Sequence, residues 1–440
     1  MSESSAAMQP LPVEQGQADE LAGRAYLRYA LTLLVLVSVF NAIDRSILVA
    51  LLEPIKDELQ LSDLQLGLIS GVAFSVFYAT LGIPFARWAD LGSRPKLLSF
   101  TVGLWSLMTA LAAGAQNFIQ LFLTRVGVGI GEAGGNPAAL SLLSELFRIR
   151  KGGVATALFL VGASIGGVVG MWGGAALASV WGWRVAFLVM GIPGIFLAVL
   201  IRFTLRETRQ HCRLPSFSEA FGKDLLLTAK TLLVRPSFFH CIVGFTVFGL
   251  FGQGSSQWSI SYLVRTFELP LDEIAGIFSI AVGGATIIGT LLGGYVANFI
   301  GARSARGYLL FPCAIILLNV PIYILVYTLN SVYLVVAMSA LSGLFLGLMT
   351  PCIFACIFGI CGAEHRAMGL ALLGMFSALI GGGVGPLLIG GLSDLIYPFF
   401  EQHSLRMALL MSVVFLPLSV VFFFRASLTL AADFHDPADH

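Results

Sequence analysis

Apolar runs separated by short polar clusters recur along almost the whole chain, twelve of them, near residues 27–52, 66–88, 96–114, 118–146, 153–179, 184–204, 238–264, 273–299, 308–328, 332–360, 367–394 and 404–424. A helix needs about 20 residues to cross the hydrocarbon layer, and each run is about that long or longer. The pattern predicts an all-α integral membrane protein with twelve transmembrane helices. Alternating strands of about ten residues, as in a membrane barrel, would not produce such continuous runs. Composition agrees: mean hydropathy is +0.90, 57% of residues are hydrophobic and 11% are charged, against roughly a quarter charged in soluble domains.

Net charge is +1, which offers no basis for a nucleic-acid partner. The placement of the cations is more informative. With the first span starting inside, inner loops hold Arg87, Arg94 and Lys96, then Arg148, Arg150 and Lys151, then Arg303 and Arg306, and the long central loop adds Arg202, Arg206, Arg209, Arg213, Lys223, Lys230 and Arg235. Outer loops carry only Lys56, Arg184, Arg265 and Arg406. By the positive-inside rule both termini are cytoplasmic, in a multi-pass protein of the cell's inner (plasma) membrane. Residues 1–23, rich in Ser, Gln, Glu and Pro, read as a disordered cytoplasmic tail. The first apolar run is too long and its flank too acidic for a cleavable signal.

The expected organisation is a six-helix bundle over residues 24–204, a cytoplasmic linker over 205–236, a second six-helix bundle over 237–425 and a cytoplasmic tail over 426–440. Within the linker, Ser216 and Glu219 form a capping-box pattern. Phe217, Phe221, Leu225, Leu232 and Leu233 recur near helical spacing before Pro236, which predicts an amphipathic helix along the inner face.

The halves repeat a pattern, as in transporters built from related bundles. After the second span comes Ala86-Arg-Trp-Ala-Asp90-Leu-Gly-Ser-Arg94-Pro-Lys96, and after the eighth Gly294-Tyr-Val-Ala-Asn298-Phe-Ile-Gly301-Ala-Arg303. Both resemble the loop signature of the major facilitator superfamily, in which Asp90, Arg94, Asn298 and Arg303 would be conformational-loop residues. The acid would accept from N–H groups at a helix start while the arginines anchor at the inner surface. Ala86, Leu91 and Asn298 depart from the pattern, which weakens the second copy as a charge latch.

Gly162, Gly166, Gly170 and Gly174 make a four-residue stripe along the fifth span, answered in the eleventh by Gly381, Gly385, Pro386 and Gly390. Such stripes admit close helix approach and suit bundles that rock against each other. Gly129-Ile-Gly131-Glu-Ala-Gly134 satisfies the dinucleotide-binding pattern but follows no strand, so it reads as helix packing. The six cysteines lie mostly within spans as small apolar packing groups. The histidines show no ligand spacing. No P-loop, nucleophile elbow or metal-ligand cluster is present in the sequence, so the reading is a non-enzyme without metal or cofactor, driven by an ion gradient.

Candidate chemistry sits where charge enters the apolar runs: Asp44 and Arg45 in the first span, Arg125 and Glu132 in the fourth. A charge at that depth costs several kcal/mol and marks an ion or substrate path. Counting from Glu53 and Asn117 at 1.5 Å per residue, Asp44 and Arg125 both lie about 12 to 14 Å below the outer surface. The two are therefore expected to pair. Glu132 falls two turns beyond Arg125, about 10 Å nearer the cytoplasm. Burial favours a protonated carboxyl while a guanidinium favours the charged one, which makes Asp44 and Glu132 proton-coupling candidates. Proton uptake would free Arg125 to grip phosphate or carboxylate. The competing reading is a permanent ion pair that fixes helix packing. Arg45, one residue on, projects about 100° around the helix, toward a neighbouring helix.

Asn41-Ala-Ile-Asp44-Arg45 and Leu123-Thr-Arg125-Val-Gly127-Val-Gly129-Ile-Gly131-Glu132-Ala133 resemble the spinster branch of the same superfamily, with its NxxDR and LTRxxxGxGEA runs. The resemblance implies roles in proton coupling and substrate recognition for Asp44, Arg125 and Glu132, and a lysophospholipid or sphingosine-phosphate-like substrate. In the second half, Gln253, Ser255, Ser256, Gln257, Trp258 and Ser259 with Gly249, Gly252 and Gly254 form a polar cluster typical of an interrupted helix lining a cavity. Gln253, Ser256, Gln257 and Trp258 are the substrate-binding candidates there, with interhelical hydrogen bonding as the alternative. Tyr78 is a further one, and Asn319 and Thr350-Pro351 are weaker. The expected protein is a monomeric twelve-helix secondary transporter in the lipid bilayer, moving an anionic amphiphile with protons. A small organic anion or drug is the alternative substrate, and a channel or non-transporting receptor the rival class.

Overall fold

The computed structural model describes residues 23–147, 152–207, 212–213 and 223–434. Long helices follow the expected spans one for one: Arg24–Leu59, Asp63–Leu91, Arg94–Ala112, Phe118–Leu146, Val154–Trp181, Trp183–Thr204, Pro236–Phe267, Leu271–Gly301, Gly307–Thr328 and Val332–Gly362. The eleventh runs from Met368 to Phe400 and the twelfth is the pair Ser404–Ser412 and Phe415–Asp433. No strand occurs among the described residues. The protein is a multi-pass integral membrane protein, and an even number of spans brings both ends to one face, here called the terminal face. Local chemistry sets several boundaries. Ser62 and Gln65 form a reciprocal capping box at the start of the second span, and the Asn117 side chain accepts from Gln120 N–H at 3.0 Å to start the fourth. Gly362, at φ 65°, separates the tenth span from the eleventh in a conformation that suits glycine.

Glycine contacts set the packing in both halves. The fifth span lays Gly162 and Gly170 against backbone oxygens of Val35 and Ile43 in the first span, and the eleventh lays Gly381 against Gly249 and Gly385 against the Leu250 carbonyl in the seventh. The fourth span packs Gly129 on Phe74 of the second, and the tenth packs Gly347 on Thr286 of the eighth. A β-carbon at Gly170 or Gly385 would sit 2.6–2.8 Å from those backbones, too close without moving a helix. The glycines of the dinucleotide-like pattern serve the same purpose, with Gly131 seated on Trp105 and Gly134 on Thr101 and Phe85. The fifth and eleventh spans also share a wide π-helical stretch, Val169–Gly173 and Ser377–Val384, and the second has one at Leu68–Val72. Such turns re-aim a helix without breaking it.

Two expectations change. The seventh span is continuous, because Gly249 and Gly254 are spent on close approach to the eleventh and not on a bend. The last helix runs on to Asp433 inside the segment read as a tail, and the Asp433 carboxylate caps the seventh span by accepting from Ser237 N–H at 3.2 Å and Oγ–H at 2.6 Å. The expected linker helix is present over Lys223–Val234, with Leu232 of its apolar face fully buried. The capping box at Ser216–Glu219 with Phe217 and Phe221, and the N-terminal tail up to residue 22, lie outside the described residues.

Candidate functional site

The first and fourth spans bring all four intramembrane charges together. Asp44 and Arg125 are each 2% exposed and Glu132 is fully buried. The ion pair that forms differs from the expected one: Arg45 Nε donates to Glu132 Oε2 at 2.5 Å, and no pair is made between Asp44 and Arg125. Counting residues sets level along a helix. It leaves open which arginine's long stem reaches which carboxylate. The Arg45 guanidinium also lies over the rings of Phe74 and Tyr78, 5.0 and 4.8 Å from their centroids, which lends it cation–π support.

Asp44 and Arg125 remain within electrostatic reach of each other and of Glu132. Asp44 Oδ1, Arg125 Nε and Nη1, Glu132 Oε1, Arg45 Nη2 and Asn41 Nδ2 are buried without a well-formed hydrogen bond, with Thr109 the polar neighbour of Asp44, Asn41 of Glu132 and Tyr78 of Arg45. Buried polar atoms are nearly always paired, and leaving charged ones open costs more than a neutral hydrogen bond is worth. Six such atoms gather between the first and fourth spans.

A cavity lies elsewhere. About 530 Å³ in volume, it opens among the seventh, eighth, ninth and tenth spans and Ser377 of the eleventh, with Ser46, Ser164 and Met171 supplying the wall from the first half. Gln253 and Ser256 line it as expected, as do Asn319 and Thr350. Arg125, Tyr78, Gln257 and Trp258 do not, and no charged side chain lines it. Trp258 is fully buried and donates its indole N–H to the Pro386 carbonyl at 3.0 Å, locking the seventh span to the eleventh. Trp258, five positions after Gln253, stands about 140° around the helix from it, so it turns away from the face that Gln253 and Ser256 present to the cavity.

At the face opposite the termini a second charged group joins the halves. Arg265 of the seventh span is bidentate to Glu53 (2.8 and 2.9 Å) and to Asp63 (2.8 Å twice). Lys56 donates to Asp63 at 2.6 Å, and Ser393 Oγ donates to Asp63 at 2.7 Å. Asp394 accepts the backbone N–H groups of Asp63 and Leu64 at 3.1 and 2.8 Å, so a carboxylate of the eleventh span caps the second. All four cations read from the sequence as sparse outer-loop charges are engaged: Lys56 and Arg265 here, Arg184 on Glu58, and Arg406 on the Tyr327 carbonyl at 2.6 Å. This cluster went unread, although Ser62-Asp63-Leu-Gln65 showed a helix start there.

At the terminal face, Asp90 stands in the last turn of the second span. At the start of the third span, Glu207 accepts Arg94 N–H at 2.7 Å. Arg94, expected at the surface, is fully buried and pairs with Glu145 and with Glu207 at 2.8 Å. Asn298 and Arg303 are exposed, with Arg303 stacked 3.7 Å from the Phe299 ring centroid. Arg94→Ala leaves two carboxylates facing an emptied site, at a cost of about 3–5 kcal/mol. Thermal unfolding in nanodiscs should show a clear drop for this variant and none for Arg303→Ala.

Comparison with known proteins agrees with the architecture. Residues 34–318 match the Major Facilitator Superfamily. The chain is 32% identical over 385 residues to a protein described as an "MFS-type efflux pump" of Mycolicibacterium smegmatis, covering 87% of this chain and 88% of that one. It is 27% identical over 299 residues to the "Hexuronate transporter" of Bacillus subtilis, covering 65% and 68%. The crystal structure of a bacterial homologue of the human lysosomal transporter spinster, inward-facing and unoccupied, superposes with a TM-score of 0.83 at 26% identity, covering 94% of this chain and all of that one. Spinster-type resemblance therefore holds for fold as well as motif.

Proposed function

This chain belongs to the major facilitator superfamily, and we propose that it is a proton-coupled secondary transporter of an anionic amphiphile, of lysophospholipid or sphingosine-phosphate type, working by alternating access. The observation that carries this reading is the group of buried charged atoms on Asp44, Arg125 and Glu132 that lack a well-formed hydrogen bond, beside the Arg45–Glu132 pair. Two acids and two arginines within electrostatic reach of one another can trade a proton for a change of partner. When Asp44 is ionised it holds Arg125. When it takes a proton, Arg125 turns its open donors to an anionic group of the substrate. The terminal face is cytoplasmic in this reading, by the cation bias of its loops, and the membrane is the cell's inner one. The two six-helix halves, joined across residues 205–236, rock about the glycine-packed spans.

A small soluble organic anion is the second reading, favoured by the similarity to a hexuronate transporter and by the fact that Arg125 suits any carboxylate. Proteoliposomes separate the two. Uptake of lysophospholipid driven by an imposed pH gradient, absent in Arg125→Ala and indifferent to hexuronate, supports the lipid reading. Saturable hexuronate uptake that lysolipid cannot inhibit would replace it. Asp44→Asn should fold and reach the membrane yet carry substrate without pH dependence, since an amide cannot take up the proton. A pH profile equal to the parent's would remove Asp44 from the coupling.

A further inference from the structure

The third span adds a hydroxyl to the charged site that neither sequence motif pointed to. Thr109 is fully buried on that span and is the polar neighbour of Asp44. A threonine inside a helix ordinarily gives its hydroxyl proton to a carbonyl one turn back. Thr80, Thr101, Thr124, Thr286 and Thr350 all do so here, at 2.7–3.0 Å. Thr109 does not. Its Oγ1 is buried without a well-formed bond, as is Oδ1 of Asp44. An open donor next to a carboxyl with an open acceptor closes a bond by a small rotation of either side chain.

The charged groups that bear on Asp44 are Glu132 and Arg125 of the fourth span, with Arg45 next to it on its own helix and engaged by Glu132. The fifth span carries no titratable side chain over Val154–Trp181, and the third none beyond Lys96. Those of the sixth and seventh, Arg184, Arg202, His240, Cys241, Tyr262 and Arg265, stand within two turns of the span ends. What Thr109 adds to this set is reversibility. Arg125 can only donate, so it serves the ionised carboxylate and cannot take the O–H of the protonated acid. A threonine hydroxyl does both, donating to the carboxylate and accepting from the acid, so it can stay with Asp44 while Arg125 leaves. We propose that Thr109 is a positioning residue that holds the Asp44 carboxyl in both protonation states and sets the pH at which it exchanges its proton. This deepens the proton-coupled reading and rests on it for the part Asp44 plays in transport.

Infrared titration of the full-length protein in nanodiscs tests this without any transport. The protonated-carboxyl band of Asp44 is the one that Asp44→Asn removes. A hydrogen bond to a carboxylate is worth more than one to the neutral acid, so loss of the hydroxyl should favour the protonated form. Thr109→Val, nearly isosteric, should move the Asp44 midpoint up by about one pH unit. Thr109→Ala should move it the same way, and Thr109→Ser, which keeps the hydroxyl, should return it to the parent's. An unchanged or lowered midpoint in either hydroxyl-free variant overturns the proposal. A Thr109→Ser shift equal to that of Thr109→Val does so too, because it makes the methyl group the cause, and so does an Asp44 band that never titrates while the protein stays folded. Proton-driven uptake whose pH profile stays put when the Asp44 midpoint moves would sink the coupling reading alone. Uptake that follows the Asp44 midpoint, with that midpoint indifferent to Thr109, would sink this inference alone.

Discussion

Arg265→Ala is expected to open the face opposite the termini and to slow transport about tenfold or more. The guanidinium is 17% exposed and holds Glu53 and Asp63, themselves 12% and 3% exposed. Without it those two carboxylates and Asp394 crowd one corner with Lys56 as the remaining cation. Breaking a buried pair from one side costs about 3–5 kcal/mol. The cost falls on the state in which the halves touch at this face, since these bonds join the first and second spans to the seventh and eleventh. A shift of that size moves a two-state population by about two orders of magnitude or more. Hydrogen exchange reads it directly. Amides over residues 62–72, whose first members are capped by Asp394, should exchange faster in the variant. Arg265→Lys, which keeps the charge and loses the fork, should fall between. Unchanged exchange in Arg265→Ala would show that the glycine contacts of Gly67 and Gly71 with the eleventh span close this face unaided.

The Arg45–Glu132 pair should be strongly asymmetric to mutation. Arg45→Met leaves Glu132, fully buried, with no ion-pair partner, and should cost about 3–5 kcal/mol of stability. Glu132→Gln leaves Arg45, 38% exposed and resting on two rings, so solvent takes up much of the loss and about 1 kcal/mol is expected. Replacing both, as Arg45→Met with Glu132→Leu, should regain most of the stability because no orphan charge remains. Proton-driven transport should stay absent in all three. Thermal unfolding and proteoliposome uptake on one set of preparations give both readings. A double variant that transports with its pH dependence intact would reduce the pair to a packing element.

Some misreadings share a cause. Residue counting puts Asp44 and Arg125 at one level, and they lie within electrostatic reach of each other, but the partner of Glu132 is Arg45, a choice made by rotation about the helix and side-chain reach. Trp258 sat in a polar run and was assigned to the cavity, yet its indole faces Pro386. Arg94 looked like an interfacial anchor because basic residues flanked it, and only the approach of Glu145 and Glu207 from two other helices buries it. The cluster at Asp63 escaped notice because its members, at 53, 56, 63, 265 and 394, are ordinary loop-end charges until the halves meet.

Taken alone, the sequence determined the class, the number and limits of the spans, the repeat of glycine stripes and the level of each intramembrane charge along its helix. These follow from the cost of exposing polar backbone to hydrocarbon and from a fixed rise per residue, both local to a helix. Tertiary structure decided which charges pair, which buried atoms lack a well-formed bond, which polar side chains reach the cavity and what seals the far face. Each of those depends on the azimuth at which one helix meets another, and that is set jointly by packing across the whole bundle.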